Sequence, residues 1–269
     1  MKVIDLFSGI GGFSLGLEST GGFETVQFVE NNEWCQKVLA KNFPNVPITG
    51  DIKNYEPKRS DGIGLVCGGF PCQPFSVAGK RKGTEDDRHL WPEMLRVIKA
   101  SKPRWVIGEN VRNLTSIQDG MVFEQVCTDL ENEGYEVQSF IIPASAVNAP
   151  HQRYRVWIVA YSKLNGFSAT KKRKSIKETI RQESQGQNRT LDSQRASGLS
   201  ETTRNVGNRS GIHRQTSWWS SEPNVGRVAH GVSDRVDRLK GLGNAIVPQI
   251  AYQIGLAILE AEDEHTKVD

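Results

Sequence analysis

IGLVCGGF, residues 63–70, runs directly into PCQPFS, residues 71–76. The first stretch is a short apolar run rich in branched residues, the pattern of a strand buried on both faces. The second holds Cys72 between Pro71 and Pro74, in a turn where a side chain faces a cleft more readily than a core. Five further runs have the same character: VIDLF (3–7), TVQFVE (25–30), WVIGEN (105–110), VQSFIIP (137–143) and RVWIVAY (155–161). Segments of helical character lie between several of them, at 32–42, 90–101 and 121–134. Strands alternating with helices predict an α/β fold with a parallel, doubly wound sheet covered by helices on both faces. Ligands of such sheets bind beyond the carboxyl ends of the strands. The suggestive residues cluster there: glycines after the first run, Glu30 ending the second, Cys72 after the third and Glu109 ending the fourth.

The chain has 269 residues, 37% apolar and 24% charged, the composition of a globular protein large enough for one large domain with or without a small one. Four cysteines (Cys35, Cys67, Cys72 and Cys127) offer neither a paired framework nor the CxxC spacing of a zinc site, so no metal and a reduced, intracellular setting are expected. The N-terminus MKVIDLFSGIGGFSLGL has some signal-peptide character, but Asp5 interrupts its apolar core. No run approaches the roughly 18 apolar residues of a membrane helix, so no membrane partner is expected.

Net charge is +3, unevenly spread. Residues 1–160 carry a net of −2, residues 161–240 a net of +9 and residues 241–269 a net of −4. A basic block on a nearly neutral body reads either as a polyanion-binding surface or as a solvated, disordered insertion. From Ser162 to about Arg214 the periodic pattern gives way to Ser, Thr, Gln, Asn and Arg, with KKRK at 171–174, a composition too poor in large apolar residues to bury a core alone. Trp218 and Trp219 open a more ordered-looking segment, and an apolar helix is predicted from about Asn244 to Glu262.

DLFSGIGG (5–12) places a glycine-rich turn between the first strand and the first helix, where backbone amides can approach a ligand. It is not the GxGxxG fingerprint, and a purely structural turn is an alternative. Glu30 stands where an acid grips a ribose; Asp51 faces either an adenine or solvent. Cys67 and Cys127 read as buried small hydrophobes; Cys72 has two readings, a packed thiol or, in its cleft-facing turn, a thiolate nucleophile paired with a nearby proton-donating carboxyl. Glu109 follows an apolar strand, so burial should raise its proton affinity and make it a proton donor. Arg153 and Arg155, two residues apart, share one face of a strand and need anionic or carbonyl partners; a structural salt bridge is the alternative for one of them.

The ordered set DLFSGIGGFSLGLE, GGFPCQPFSVAGKRKGTEDDR, GENVRNL, PHQRYRVWIVA and GLGNAIVPQIA resembles the DNA cytosine-5 methyltransferase family, across residues 1–161 and about 238–258. The resemblance implies a Rossmann-like sheet that binds S-adenosyl-L-methionine, with a small DNA-recognition region. It implies that Cys72 attacks carbon 6 of cytosine, Glu109 protonates ring nitrogen 3, and Arg155, supported by Arg153, fixes the base carbonyl. For the cofactor it implies Asp5, Phe7, Ser8, Gly9, Gly11 and Gly12 in the first turn, with Glu30 and Asn31 at the ribose. Asp51 and Ile52 would meet the adenine, and Pro71, Leu90, Asn244 and Ala245 would complete the pocket. Gln73, Ser76, Lys80, Arg81, Lys82 and Arg88 would contact double-stranded DNA, from which the target base must be flipped out. The implied organisation is a catalytic domain at 1–161, a recognition region at 162–237 and a C-terminal helix at 238–269 that completes the catalytic domain. A monomer in the cytoplasm of a prokaryotic or phage-infected cell is expected, with a cognate restriction endonuclease as a partner of the system. The family's Arg-Thr-x-Arg-Glu segment is not found, and RVAHGVSDRVDRL stands in its place, so the target bases are not legible. An RNA cytosine methyltransferase would carry a Cys-Phe-Thr tripeptide that is not found here. A regulatory relative would lose the cysteine or the acid, and a nicotinamide oxidoreductase would not explain PCQ or ENV.

Overall fold

The computed structural model describes residues 1–71, 90–162 and 241–266. Cys72, Gln73, Ser76, Lys80, Arg81, Lys82 and Arg88 therefore lie outside the described residues, as does all but Ser162 of the expected recognition region, Trp218 and Trp219 included.

The elements follow in the order β1 (Lys2–Leu6), α1 (Gly12–Glu18), β2 (Glu24–Val29), α2 (Glu33–Asn42), β3 (Ile48–Thr49), β4 (Ile63–Gly68), α3 (Trp91–Ser101), β5 (Trp105–Val111), α4 (Met121–Asn132), β6 (Tyr135–Ile142), β7 (Arg155–Ser162) and α5 (Pro248–Thr266). The seven strands form one sheet in the order β3-β2-β1-β4-β5-β7-β6. The chain moves outward from β1 in one direction and from β4 in the other, so the topological switch lies between those two strands, where their carboxyl ends open a crevice.

The wholly parallel sheet expected from the alternation needs one correction. β1 to β5 pair in parallel, but β7 runs antiparallel to both β5 and β6. A parallel return needs a crossover, and the link from Ile142 to Arg155 contains only a short 3-10 turn, Ala144–Val147. β7 instead folds back and inserts between β5 and β6.

Residue alternation along the strands feeds two cores. Val3, Leu65, Cys67, Ile107 and Trp157 face one side of the sheet and pack under Phe13 and Leu17 of α1 and Ile250, Ile254 and Ile258 of α5. Ile4, Leu6, Val66, Val106 and Ile158 face the other side, under Trp91, Met94, Val97 and Ile98 of α3 and Val126 and Leu130 of α4. Helices thus cover both faces, as a doubly wound sheet requires.

α5 begins at Pro248, later than the Asn244 expected from the pattern, because a proline with its fixed φ and missing N–H suits the first helical position. The stretch Gly241–Glu264 is long and apolar enough by composition to cross a membrane, contrary to the expectation that no run is. Its Ile250, Ala251, Ile254 and Ile258 are buried against α1 and the sheet. At its far end Glu262 Oε1 accepts from Trp105 Nε1 at 2.7 Å and pairs with Arg104 Nε at 3.0 Å.

The approach of α5 to α1 depends on glycine. A Cβ on Gly16 would lie 2.2 Å from the Pro248 carbonyl oxygen and 2.8 Å from Ala251 Cβ, and one on Gly12 would lie 2.7 Å from the Ile246 carbonyl oxygen. Backbone at those distances cannot yield without moving the helix. Gly16→Ala is therefore expected to destabilise the fold by about 1–3 kcal/mol in urea unfolding, despite the better helix propensity of alanine. Unchanged stability would contradict the close packing of α5 on α1.

Candidate active site

A cavity of about 630 Å³ opens at the carboxyl ends of β1, β2, β4 and β5. Its size falls within the range of small-molecule sites. Of the residues singled out in the sequence, it brings together Phe7, Gly9, Glu30, Asn31, Asp51, Ile52, Pro71, Leu90, Glu109, Arg153, Arg155 and Asn244. Asp5, Ser8, Gly11, Gly12 and Ala245 do not line it.

The first turn explains why. Asp5 is fully buried beneath the glycine-rich turn, where its Oδ2 accepts from Ser14 Oγ at 2.8 Å. Burial pushes its carboxyl up to about 8 against the opposing hydrogen bond from Ser14. Ser8 Oγ donates to the Asp5 carbonyl at 2.6 Å, closing the turn, and Gly11 at φ 85 starts α1. These residues shape the turn, whereas Phe7 and Gly9 present its surface to the cavity. Phe7 has φ 53, a left-handed conformation that a residue with a Cβ adopts only where its surroundings enforce it.

Glu30 leaves the end of β2 with both oxygens engaged: Oε2 accepts from the Gly9 amide and Oε1 from the Asn32 amide, each at 2.7 Å. Each carboxylate oxygen keeps a second lone pair for a hydroxyl. Asn32 caps α2 by accepting from the Cys35 amide at 3.0 Å, and both residues line the cavity. Asp51 caps the 3-10 turn Ile52–Asn54 through the Lys53 amide at 2.9 Å, with Ile52 buried behind it.

The opposite wall is built by the end of β5. Glu109 is only 8% exposed, and its Oε1 pairs with Arg155 Nε at 3.0 Å. Burial outweighs the pull of Arg155 and then Arg153, and pushes the carboxyl up to about 7. Near neutral pH the group is therefore divided between acid and carboxylate, as a proton donor requires. Arg153 turns away from it: Nη1 donates to the Gly243 carbonyl at 2.9 Å and Nη2 to the Ala245 carbonyl at 2.6 Å. The shared strand face expected for the two arginines is absent, because Arg153 precedes β7 and has φ 35. Both nevertheless reach the same cavity.

Sequence reasoning missed the device that joins this wall to the turn after β4. Asn110 Nδ2 donates to the Phe70 carbonyl at 2.7 Å, and Phe70 is anchored against the Trp91 ring with centroids 5.1 Å apart. A Cβ on Gly69 would lie 3.2 Å from Glu109 Oε2, so this turn passes directly beside the carboxyl. The Leu90 amide donates to the Pro71 carbonyl at 3.3 Å, tying together the two ends of the 72–89 segment. A buried amide side chain directly after an acid at a strand end was the available signal for Asn110. Cys35, also on the cavity wall, gave none, because nothing in its local sequence separates it from a core thiol.

The strand order and the crevice at its switch point define a doubly wound, Rossmann-like protein with a buried acid, Glu109, on the wall of that crevice. The chain belongs to the C-5 cytosine-specific DNA methylase family, whose model matches residues 1–227. It is 36% identical over 170 residues to the type II methyltransferase M.Bsp6I of Bacillus sp. (strain RFL6), covering 62% of this chain and 54% of that protein. With M.HhaI of Haemophilus parahaemolyticus, also a type II methyltransferase, it shares 36% identity over 165 residues, covering 60% of this chain and 49% of that protein. The chain spans about half the length of these relatives. Among solved structures it resembles a Spodoptera frugiperda DNMT2 mutant in fold, with a TM-score of 0.54 and 24% identity over 65% of this chain and 53% of that one.

The raised Glu109 carboxyl has a measurable consequence. A group that binds its proton more tightly folded than unfolded stabilises the fold at low pH, and loses that contribution as pH rises from its ordinary 4.5 to about 7. The stability of the wild type relative to Glu109→Gln should accordingly fall by on the order of 2–3 kcal/mol across that window in urea melts. Comparing the two proteins removes the parallel contribution of Asp5. A difference that stays constant from pH 5 to 8 would contradict the burial argument.

Proposed function

We propose that this chain transfers a methyl group from S-adenosyl-L-methionine to carbon 5 of a cytosine flipped out of double-stranded DNA. The observation that carries the reading is Glu109, buried beside Arg155 and directly next to the turn that leads through Pro71 into Cys72.

The cavity fits the cofactor by its donor set. Phe7 and Ile52 offer apolar surface for an adenine, Asp51 an acceptor for its amino group, and Glu30 two carboxylate oxygens for ribose hydroxyls. Asn244 offers an amide to the methionine end. The cofactor supplies an electrophilic methyl group on a sulfonium. Carbon 5 of cytosine is a weak nucleophile, so the chain's own residues must enrich it with electrons. The Cys72 thiolate adds to carbon 6 and forms a carbon–sulfur bond, while Glu109 gives its proton to ring nitrogen 3 and Arg155 holds the base carbonyl. Carbon 5 can then take the methyl group. Loss of the carbon-5 proton to a base, with return of the nitrogen-3 proton to Glu109, breaks the carbon–sulfur bond and frees the Cys72 thiolate. Extrusion of the base costs a few kcal/mol of stacking and pairing.

In this reading Lys80, Arg81, Lys82 and Arg88 of the segment after Cys72 meet DNA phosphates, with Gln73 and Ser76 near the target base. The basic block at 162–237 forms the recognition region, and the C-terminal helix completes the catalytic domain begun by residues 1–161. The protein acts as a monomer in the cytoplasm, protecting DNA from a cognate restriction endonuclease.

Purified protein incubated with S-adenosyl-L-methionine and unmethylated mixed-sequence DNA is expected to leave 5-methylcytosine at one short motif, read by bisulfite sequencing. Cys72→Ser should abolish it, and Glu109→Gln should lower the rate by about 10²-fold or more. Methylation that survives Cys72→Ser would overturn the covalent route; methylation of RNA alone would overturn the DNA substrate.

A further inference from the structure

Arg153 and Arg155 line the same cavity but have different partners. Arg155 turns to Glu109, whereas Arg153 sends both terminal nitrogens to main-chain carbonyls some ninety residues later in the chain, those of Gly243 and Ala245. Those two carbonyls flank Asn244, which reaches the cavity from the C-terminal segment. The fork of a guanidinium suits two carbonyls at once, and a lysine ammonium is a single point that does not span them in the same way. The backbone of Arg153 is left-handed at φ 35, a conformation that persists only where the surroundings hold it. Arg153 is partly buried, and its bond to the Ala245 carbonyl is partly shielded from competing water, whereas the bond to Gly243 is exposed.

We propose that Arg153 is a positioning residue, a strap that fixes the Gly243–Ala245 backbone so that Asn244 faces the cofactor end of the cavity. The proposal rests on the reading of the cavity as an S-adenosyl-L-methionine site. With both terminal nitrogens held by carbonyls, Arg153 acts through Asn244 rather than on the base.

The test uses the full chain and its Arg153→Ala and Arg153→Lys variants. Hydrogen exchange without ligand should be about tenfold faster in Arg153→Ala over residues 241–251, with peptides of β1, β4 and β5 unchanged. By calorimetry, the Kd for S-adenosylhomocysteine should rise about tenfold in Arg153→Ala and less in Arg153→Lys. In Arg153→Ala the KM for S-adenosyl-L-methionine should rise by a larger factor than kcat falls. Unchanged exchange over 241–251 would overturn the strap. Unchanged Kd with kcat lost would place Arg153 on the base instead. A wild type that fails to bind S-adenosylhomocysteine would refute the cofactor reading, and the exchange comparison would still decide the strap.

Discussion

At the end of β5 a carboxyl that is almost fully buried meets a guanidinium 3.0 Å away, and the rest of the cavity is arranged around that pair. Burying a carboxylate is costly unless it is paired or protonated. Here both remedies operate: Arg155 offsets part of the cost, and the remainder appears as a proton held up to about pH 7. The same desolvation that makes the Glu109 carboxylate expensive raises its affinity for a proton. Its neighbour Asn110 then links the wall to the turn after β4 through the Phe70 carbonyl, so one strand end positions both the acid and the approach to Cys72. A Cβ on Gly69 would lie 3.2 Å from Glu109 Oε2, so a side chain there would press the carboxyl to shift by a few tenths of an ångström.

The opposite side of the site depends on parts of the chain far apart in sequence. α5 packs on α1 through Gly16, and Gly12 leaves room for Ile246 of the preceding segment, which carries Asn244 to the cavity rim. β7 is reversed, which brings its leading arginines beside the carboxyl end of the parallel strands rather than to the opposite edge. In a wholly parallel sheet a residue at the start of a strand would lie far from the ligand crevice. Reversal of a single strand is therefore what lets Arg155, at the first position of β7, reach Glu109, near the last position of β5.

Much of this was legible in the residues. Apolar runs marked six of the seven strands, because strands buried on both faces leave continuous hydrophobic signatures; the two-residue β3 was too short to leave one. The acids at strand ends, Glu30 and Glu109, were legible because a strand end in a doubly wound sheet is already a candidate site. The direction of β7 was not, since a buried strand reads the same in either orientation. Nor were the separate roles of Asp5 and Phe7, two residues apart in one turn, one sealed beneath it and the other on the cavity wall. Cys35 shows the same limit: its place on the wall comes from the cap of α2, which no local pattern announces.

The proposed covalent route requires the thiol of Cys72 to reach the base in the cavity that holds Glu109. The most direct measurement is peptide mass spectrometry of the protein after incubation with S-adenosyl-L-methionine and duplex DNA in which 5-fluorocytosine replaces cytosine. Fluorine at carbon 5 cannot leave as a proton does, so the carbon–sulfur bond should persist. The account predicts a DNA adduct carrying one added methyl group, mapped to the peptide that contains Cys72. An adduct on the peptide containing Cys35, which lines the cavity, would contradict it. So would cytosine methylation in unmodified DNA with no trapped adduct in the fluorinated duplex.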